Sequence, residues 1–353
     1  MPPPEPHGTA AQEAMLPQGR VVEAVLDAPW LEAPVAQLRR ARAAGRFPSA
    51  LLVHEQRGAG AAALAQFTAQ LALCREPAAP CGRCRDCRLM LAGAHPDFIS
   101  VVPLPDSKFV RVEQIRELCE QLALTAHGGG ATVALIAPAD SMNANAANAL
   151  LKSLEEPRAG VTLLLISAVP SRLPATILSR CQRLRIGAPS REAAVAWLQR
   201  RRGPAPWAAV LEVLGDAPFD ALRAEPAEVA QLKSQTDRAI ADLLTGRLDI
   251  GRTAEAWGRA EGLELRLTCL ENWLTARIDS AMRAPRQPRE LRSGAHLSPA
   301  GSDLNMARLL RVLDGVYELR RLRLTSINRP LALEQLLREL DRAGHAAVRV
   351  ATG

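Results

Sequence analysis

The sequence predicts an α/β domain built on a parallel sheet, then a small helical domain, then an all-α domain. Three observations carry this. Short, almost wholly apolar stretches at 51–53, 98–102, 132–136 and 161–167, and a fifth strand at 183–186, alternate with longer stretches of helical periodicity. Strands apolar along their whole length are buried on both faces, as parallel strands covered by crossover helices are. A Gly-containing turn follows the first stretch and opens an Ala-rich helix, and beyond Ser190 only helical patterns remain. At 353 residues the chain exceeds a single hydrophobic core and suits two or three domains.

Residues 1–27 read as a disordered tail, without the basic start and apolar run of a secretory signal. The α/β domain is expected over 28–187. A helix over 21–44 precedes the first strand, with Val25, Leu26, Leu31, Val35 and Leu38 on its apolar face. Its basic end, Arg39, Arg40, Arg42 and Arg46, reads as a solvated face.

The turn after strand 51–53 has the outline of a phosphate-binding loop, in which backbone amides and a helix N-terminus cradle an anion. Tested against G-x-x-x-x-G-K-[ST], the glycines are incomplete and the charges are missing. Gly60 stands at the second Gly and Gly58 lies inside the turn. Glu55 replaces the first Gly, Ala61 the Lys and Ala62 the hydroxyl residue. Such a loop cannot reach β/γ-phosphates or hold Mg²⁺. A helix from Ala61 follows.

Cys74, Cys81, Cys84 and Cys87 form C-x6-C-x2-C-x2-C. Four thiolates on short loops satisfy tetrahedral Zn²⁺ and leave no open position, so the site is expected to be structural. The Arg residues between them (Arg75, Arg83, Arg85, Arg88) read as surface. His95, just beyond, reads as a loop-packing residue rather than a fifth ligand.

Strand 98–102, a helix from about Val112 and a Gly128-Gly129-Gly130 turn lead to strand 132–136. A hydrolysing nucleotide site would end that strand in an Asp that helps hold Mg²⁺. Ala137 and Pro138 stand there instead, and Asp140 lies too far along. The helix NANAANALLKSLEEP packs through Ala147, Leu150, Leu151 and Leu154, and Pro157 stops it. Glu155 and Glu156 sit at its C-terminal end, where the helix dipole disfavours them, and Lys152 offsets only part of this. A local rule broken in this way often marks a site of contact, the other reading being a surface accident. Strand 161–167 follows, then Ser179-Arg180-Cys181 ahead of strand 183–186, and Ser190 reads as a helix cap.

Short helices are expected over 188–226 as a separate small domain. Longer ones follow over 227–245, 253–283, 303–324 and 331–343, with a Pro/Gly loop at 284–302. Residues 227–345 form the all-α domain, whose core should include Trp257, Trp273 and Tyr317.

Together the four-cysteine insert after the loop helix, NALLKSLEEP, Ser-Arg-Cys ahead of a strand and INRPLALEQLL near the C-terminus resemble the AAA+ clamp-loader family of bacterial DNA polymerase III, over residues 28–343. The resemblance implies an AAA+ domain with a zinc insert, a helical lid and a helical collar that makes the oligomeric contact. It implies a catalytically silent stator in a pentameric ring, a component of a DNA-directed DNA polymerase holoenzyme. Its partners would be the gamma/tau ATPase subunits and the clamp-opening delta subunit and, through the complex, the sliding clamp and primer-template DNA. Arg180, flanked by Ser179 and Cys181, would act as an arginine finger on the neighbour's nucleotide; the competing reading is that it simply pairs locally, with Arg172, Arg183 and Arg185 nearby and equally basic. Zn²⁺ is the only cofactor implied, with no ATP on this chain. An active gamma/tau-like ATPase and a zinc-dependent DNA-binding protein are the alternatives.

Composition agrees without deciding. The net charge is +7, but only three of the cations are Lys, and heavy use of Ala, Gly, Pro and Arg also follows from GC-rich coding, so the charge alone argues little for DNA. No apolar run approaches the ~20 residues of a membrane helix. A cytoplasmic location is expected, with reduced thiols, and Cys119, Cys181 and Cys269 read as packed.

Overall fold

The computed structural model describes residues 21–55, 58–104, 107, 109–124, 126, 130–259, 262–283, 301–321 and 328–348. The tail expected at 1–20, Gly128 and Gly129, the loop at 284–300 and Ile327 lie outside the described residues. The elements run α1 (Val21–Leu26), α2 (Glu32–Ala43), β1 (Ala50–Glu55), α3 (Ala61–Leu73), α4 (Arg85–Leu91), β2 (Phe98–Val101), α5 (Val112–Ala123) and β3 (Thr132–Ile136). They continue with α6 (Ala144–Glu155), β4 (Val161–Ser167), α7 (Ala175–Leu178), β5 (Gln182–Ile186), α8 (Arg191–Arg202), α9 (Trp207–Val213) and α10 (Pro218–Arg223). The last five are α11 (Pro226–Leu244), α12 (Ile250–Arg259), α13 (Leu263–Arg283), α14 (Gly301–Arg321) and α15 (Arg329–Val348).

Two compact units result. One holds the chain to Pro204 together with Asp216–Arg223; the other holds Ala205–Gly215 and everything from Ala224. The stretch expected as a separate small helical domain is thus shared out: α8 and α10 go with the sheet, α9 with the later helices.

The first unit is built on a five-stranded parallel sheet in the order β2-β3-β4-β1-β5. β4 lies between β3 and β1 and is buried at every position, which is why its sequence carries almost no polar residue. β5 is an edge strand. Leu184 and Ile186 face inward while Gln182, Arg183 and Arg185 are exposed, and charge on an edge discourages stray strand pairing. One face of the sheet packs Leu52, Ala134, Ile136, Leu163 and Leu165 against Ile115 and Leu118 of α5, Leu150 and Leu154 of α6 and Ile177 of α7. α3 is buried on nearly every side. Its alanines let it approach its neighbours closely, and Phe67 is enclosed beneath the Arg39 guanidinium. Asn143 caps α6 through Ala146 N–H at 2.8 Å, and Ser190 caps α8, as its type suggests, through Ala193 N–H at 3.2 Å. Each such cap contributes about 1 kcal/mol. Because β3, β4 and β1 are neighbours, the segments after them end on one edge of the sheet, where ligands of open parallel sheets bind.

Three local expectations need correction. Residues 21–26, placed in the tail, are helical, with Ala24 and Val25 fully buried. The helix expected over 21–44 is in fact α1, a 3₁₀ turn at Pro29–Leu31 and α2, because Pro29 at the turn's start interrupts the backbone ladder. The helix expected over 253–283 is likewise two, α12 and α13, and Gly262 before the second has φ 88°, a left-handed conformation that no α-helix continues through.

In the second unit, Ile240, Leu243, Trp257, Leu267, Leu274, Leu333, Leu336 and Leu340 form the core. Trp257 is inside, under the Arg266 guanidinium at 5.1 Å. Trp273 packs at the margin of this core, and Tyr317 is not in it. Tyr317 is 44% exposed, and its hydroxyl donates to Glu271 Oε1 at 3.0 Å. The same glutamate pairs with Arg320, which also bonds Thr268 at 2.8 Å and Glu264 at 2.9 Å. A polar clamp between α13 and α14 holds the tyrosine at the surface. Among the described residues no helix is long and apolar enough to cross a membrane.

Candidate functional site

Along the sheet edge the loop after β1 is covered rather than open. Glu55 ends β1; Gly58 and Gly60 have φ 77° and 112°. Gly60 then starts α3 from a left-handed conformation that suits glycine. Ala59 and Ala61 are almost completely enclosed, and Ala62 is exposed. What covers the loop is the start of α10. The Phe219 N–H donates to the Gly58 carbonyl at 3.1 Å. A β-carbon on Gly58 would lie 2.8 Å from Ala217 Cα, and one on Gly60 2.8 Å from Phe219 Cδ2. The Trp30 indole donates to the Ala59 carbonyl at 2.8 Å. Trp30, Trp197 and Phe219 meet edge-on and tilted with centroids 5.0–6.3 Å apart, in a chain only 3% aromatic. The Trp197 N–H is satisfied by Asp27 at 2.9 Å. The glycines of this loop therefore admit protein side chains where a phosphate loop would admit an anion.

After β3, Ala137 and Pro138 present no ligand. Asp140 sits in a 3₁₀ turn and accepts a 2.6 Å hydrogen bond from Ser167 Oγ at the end of β4. Ser167, fully buried, also accepts from the Val169 N–H at 3.2 Å. The acid is tied into the sheet edge, a partner that its sequence position alone did not disclose.

The Ser179-Arg180-Cys181 triplet divides its labour. Ser179 ends α7 and donates to the Thr176 carbonyl at 3.1 Å. Cys181 joins the core beside Leu173 and Ile177, and burial pushes its thiol up to about 11. Arg180, between them, points outward. Its Nη1 donates to the Thr176 carbonyl at 3.0 Å and Ser179 Oγ at 3.3 Å, and its Nη2 lies 2.6 Å from Glu155 Oε1. Glu155 is the acid that breaks the dipole rule at the end of α6, and Arg180 is its counter-charge. Of the neighbouring arginines, Arg183 donates to the Leu178 carbonyl at 3.5 Å.

The four cysteines converge. The Sγ atoms of Cys74, Cys81, Cys84 and Cys87 all lie within 4.8 Å of one another, with Cys81–Cys87 at 4.0 Å and Cys74–Cys84 at 3.9 Å. A tetrahedral Zn²⁺ with Zn–S of about 2.3 Å needs sulfurs about 3.8 Å apart, so the set fits. The sequence did not disclose α4, which begins inside the cluster. Cys84 caps it, its sulfur accepting from the Cys87 N–H at 3.3 Å, and Cys81 accepts in the same way from Cys84 at 3.3 Å. The amides of Arg83 and then Cys84 pull the Cys81 thiol down to about 6, while burial pushes those of Cys74 and Cys87 up. Arg42, expected on a solvated face, instead donates to the carbonyls of Cys74 and Glu76 and fastens the insert to α2. His95 is not among the converging ligands. Its Nδ1 accepts from the Asp97 N–H at 3.1 Å and its Nε2 faces Asp86 at 3.6 Å.

A parallel sheet in this order, a glycine loop at its edge and a four-cysteine insert behind the loop helix make an open α/β domain with a cysteine-rich insert. Comparison with known proteins narrows this further. A family model described as "DNA polymerase III, delta subunit" matches residues 30–190. The DNA polymerase III subunit delta' of Pseudomonas aeruginosa is 39% identical over 65% of this chain and 70% of its own, and that of Escherichia coli 39% over 49% and 52%. DNA polymerase III subunit tau of Salmonella typhimurium is 35% identical over 39% of this chain and 21% of its own. A gamma subunit-related protein of Thermotoga maritima superposes at TM-score 0.49 with 14% identity, covering 88% of this chain and 99% of that one, a likeness too loose to bear on function. The chain belongs to the DNA polymerase III subunit delta' family.

Proposed function

We propose that this chain is the catalytically silent stator of the replicative clamp loader, lending an arginine to a neighbouring ATPase subunit. The observation that carries this is an asymmetry within one unit. The chain's own loop is enclosed by Phe219, Ala217 and Trp30, while Arg180 stands outward within reach of another molecule. Ala61, Ala62, Ala137 and Pro138 supply none of the lysine, hydroxyl or carboxylate that ATP and Mg²⁺ require. Asp140 is engaged by Ser167.

Phosphoryl transfer spreads negative charge over the γ-oxygens, and a guanidinium supplied in trans stabilises it. Arg180 is suited to this because its backbone is fixed on both sides, by the Ser179 turn and by buried Cys181. The sheet-bearing unit would face the neighbouring ATPase, and the helices over 227–345 would form the collar that joins the ring. The partners are the gamma/tau ATPase subunits and the delta subunit, acting with them on the sliding clamp and primer-template DNA in the cytoplasm. Cys74, Cys81, Cys84 and Cys87 would hold one Zn²⁺, which supplies a cross-link that shapes the insert and takes no part in the chemistry. The test is ATP turnover by the reconstituted loader. Arg180→Ala should lower it on the order of 10³-fold while this chain stays folded and assembled, and unchanged turnover would remove the arginine's role.

A further inference from the structure

An arginine that acts across an interface must hold one rotamer before its target arrives, and Arg180 has a long, flexible side chain. Its backbone hydrogen bond to Thr176 and its contact with Ser179 constrain only Nη1. The other limb is fixed by Glu155 alone among the contacts described, at 2.6 Å. Glu155 is itself immobile at its root, because Leu150 and Leu154 anchor α6 in the sheet's core. Its negative charge at the helix C-terminus opposes the helix dipole, a cost that a neutral or basic residue there would avoid. We infer that Glu155 is a positioning residue, which aims the Arg180 guanidinium at the phosphates of the neighbouring subunit.

The strength of the pair suits that task. Arg180 and Glu155 are 35% and 48% exposed, and an ion pair so placed contributes little to stability. A weak pair can share or exchange its arginine with an incoming phosphate without a large penalty. The guanidinium carries five N–H donors, so the contacts to Thr176, Ser179 and Glu155 leave donors for a phosphate oxygen. A tightly buried partner would compete with the phosphate, and no partner would leave the side chain to search. Misplacing a reacting or stabilising group by even 1 Å can cost up to about 10²-fold in rate.

The inference rests on Arg180 acting in trans, and a double-mutant cycle separates the two ideas. In the reconstituted loader, Glu155→Ala should lower kcat for ATP roughly tenfold with KM for ATP little changed, because aim is lost and nucleotide binding is not. Glu155→Gln, which keeps an oxygen acceptor at the same reach, should retain most of the rate. In an Arg180→Ala background Glu155→Ala should have no further effect, since a residue acting only through the arginine has nothing left to aim. Wild-type kcat in Glu155→Ala, or the same loss in both backgrounds, overturns the inference while leaving the arginine's role intact. Wild-type kcat in Arg180→Ala removes both. A thermal midpoint shared by all the variants supports positioning, whereas loss of folding in Glu155→Ala without rescue by Glu155→Gln would make the residue structural.

Discussion

The Phe219 ring packs directly on Gly60, so that a β-carbon on the glycine would stand 2.8 Å from Cδ2. The loop is thus closed by shape as well as stripped of charge. Restoring only the charge should fail. Ala61→Lys with Ala62→Thr puts a lysine at a fully buried position and leaves the ring where it is. No binding of a fluorescent ATP analogue is expected from that variant, and binding should appear when Phe219→Ala is added. Micromolar binding by the variant that keeps Phe219, or none after its removal from a chain still folded by circular dichroism, would contradict the closure.

The cysteine cluster should carry one equivalent of zinc, measured by elemental analysis of purified protein. Stripping it with a chelator, or Cys87→Ser, should lower the unfolding midpoint, because ligand binding free energy in such inserts is folding free energy. Acid should release the metal. The Cys74 and Cys87 thiols, pushed up by burial, must lose protons to bind, so falling pH favours the protonated, metal-free insert. An unchanged midpoint in the stripped protein would mean the insert is held by packing alone.

His95 gives a pH signature of a different origin. Burial, outweighing the attraction of Asp86 and Asp97, holds its pKa below the ordinary value. The unfolded chain therefore takes up this proton near pH 6.5 and the folded one only at lower pH. Between those two points the unfolded state binds more protons, so stability falls as pH falls and is restored above about 6.5. Urea midpoints of the wild type should decline through that window more steeply than those of His95→Gln. The thiolates are common to both, so equal slopes would discount the histidine.

Much of this was legible beforehand, for physical reasons. The first four strands could be read because parallel strands covered by helices need largely apolar runs, and the cysteines because metal geometry demands close spacing. The acids at the end of α6 marked a contact because they oppose the helix dipole, although nothing local named Arg180 as the counter-charge. What stayed hidden depends on distant parts of the chain. Ser167 at the end of β4 reaches Asp140 beyond the neighbouring β3, and Trp30, Trp197 and Phe219 assemble from segments far apart in sequence. Helical periodicity also reads through a break, so Pro29 and Gly262 had to be weighed as interruptions before α1 and α2, or α12 and α13, could be told apart. Tyr317 follows the apolar spacing of α14 yet stays outside because Glu271 accepts its hydroxyl.

ATP turnover followed while this chain is titrated into the ATPase subunits tests the central claim most directly. The chain alone should hydrolyse nothing. Turnover should rise as it joins the wild-type assembly, and that rise should vanish when it carries Arg180→Ala. Hydrolysis by the purified chain alone, or an undiminished rise with the variant, would contradict the account.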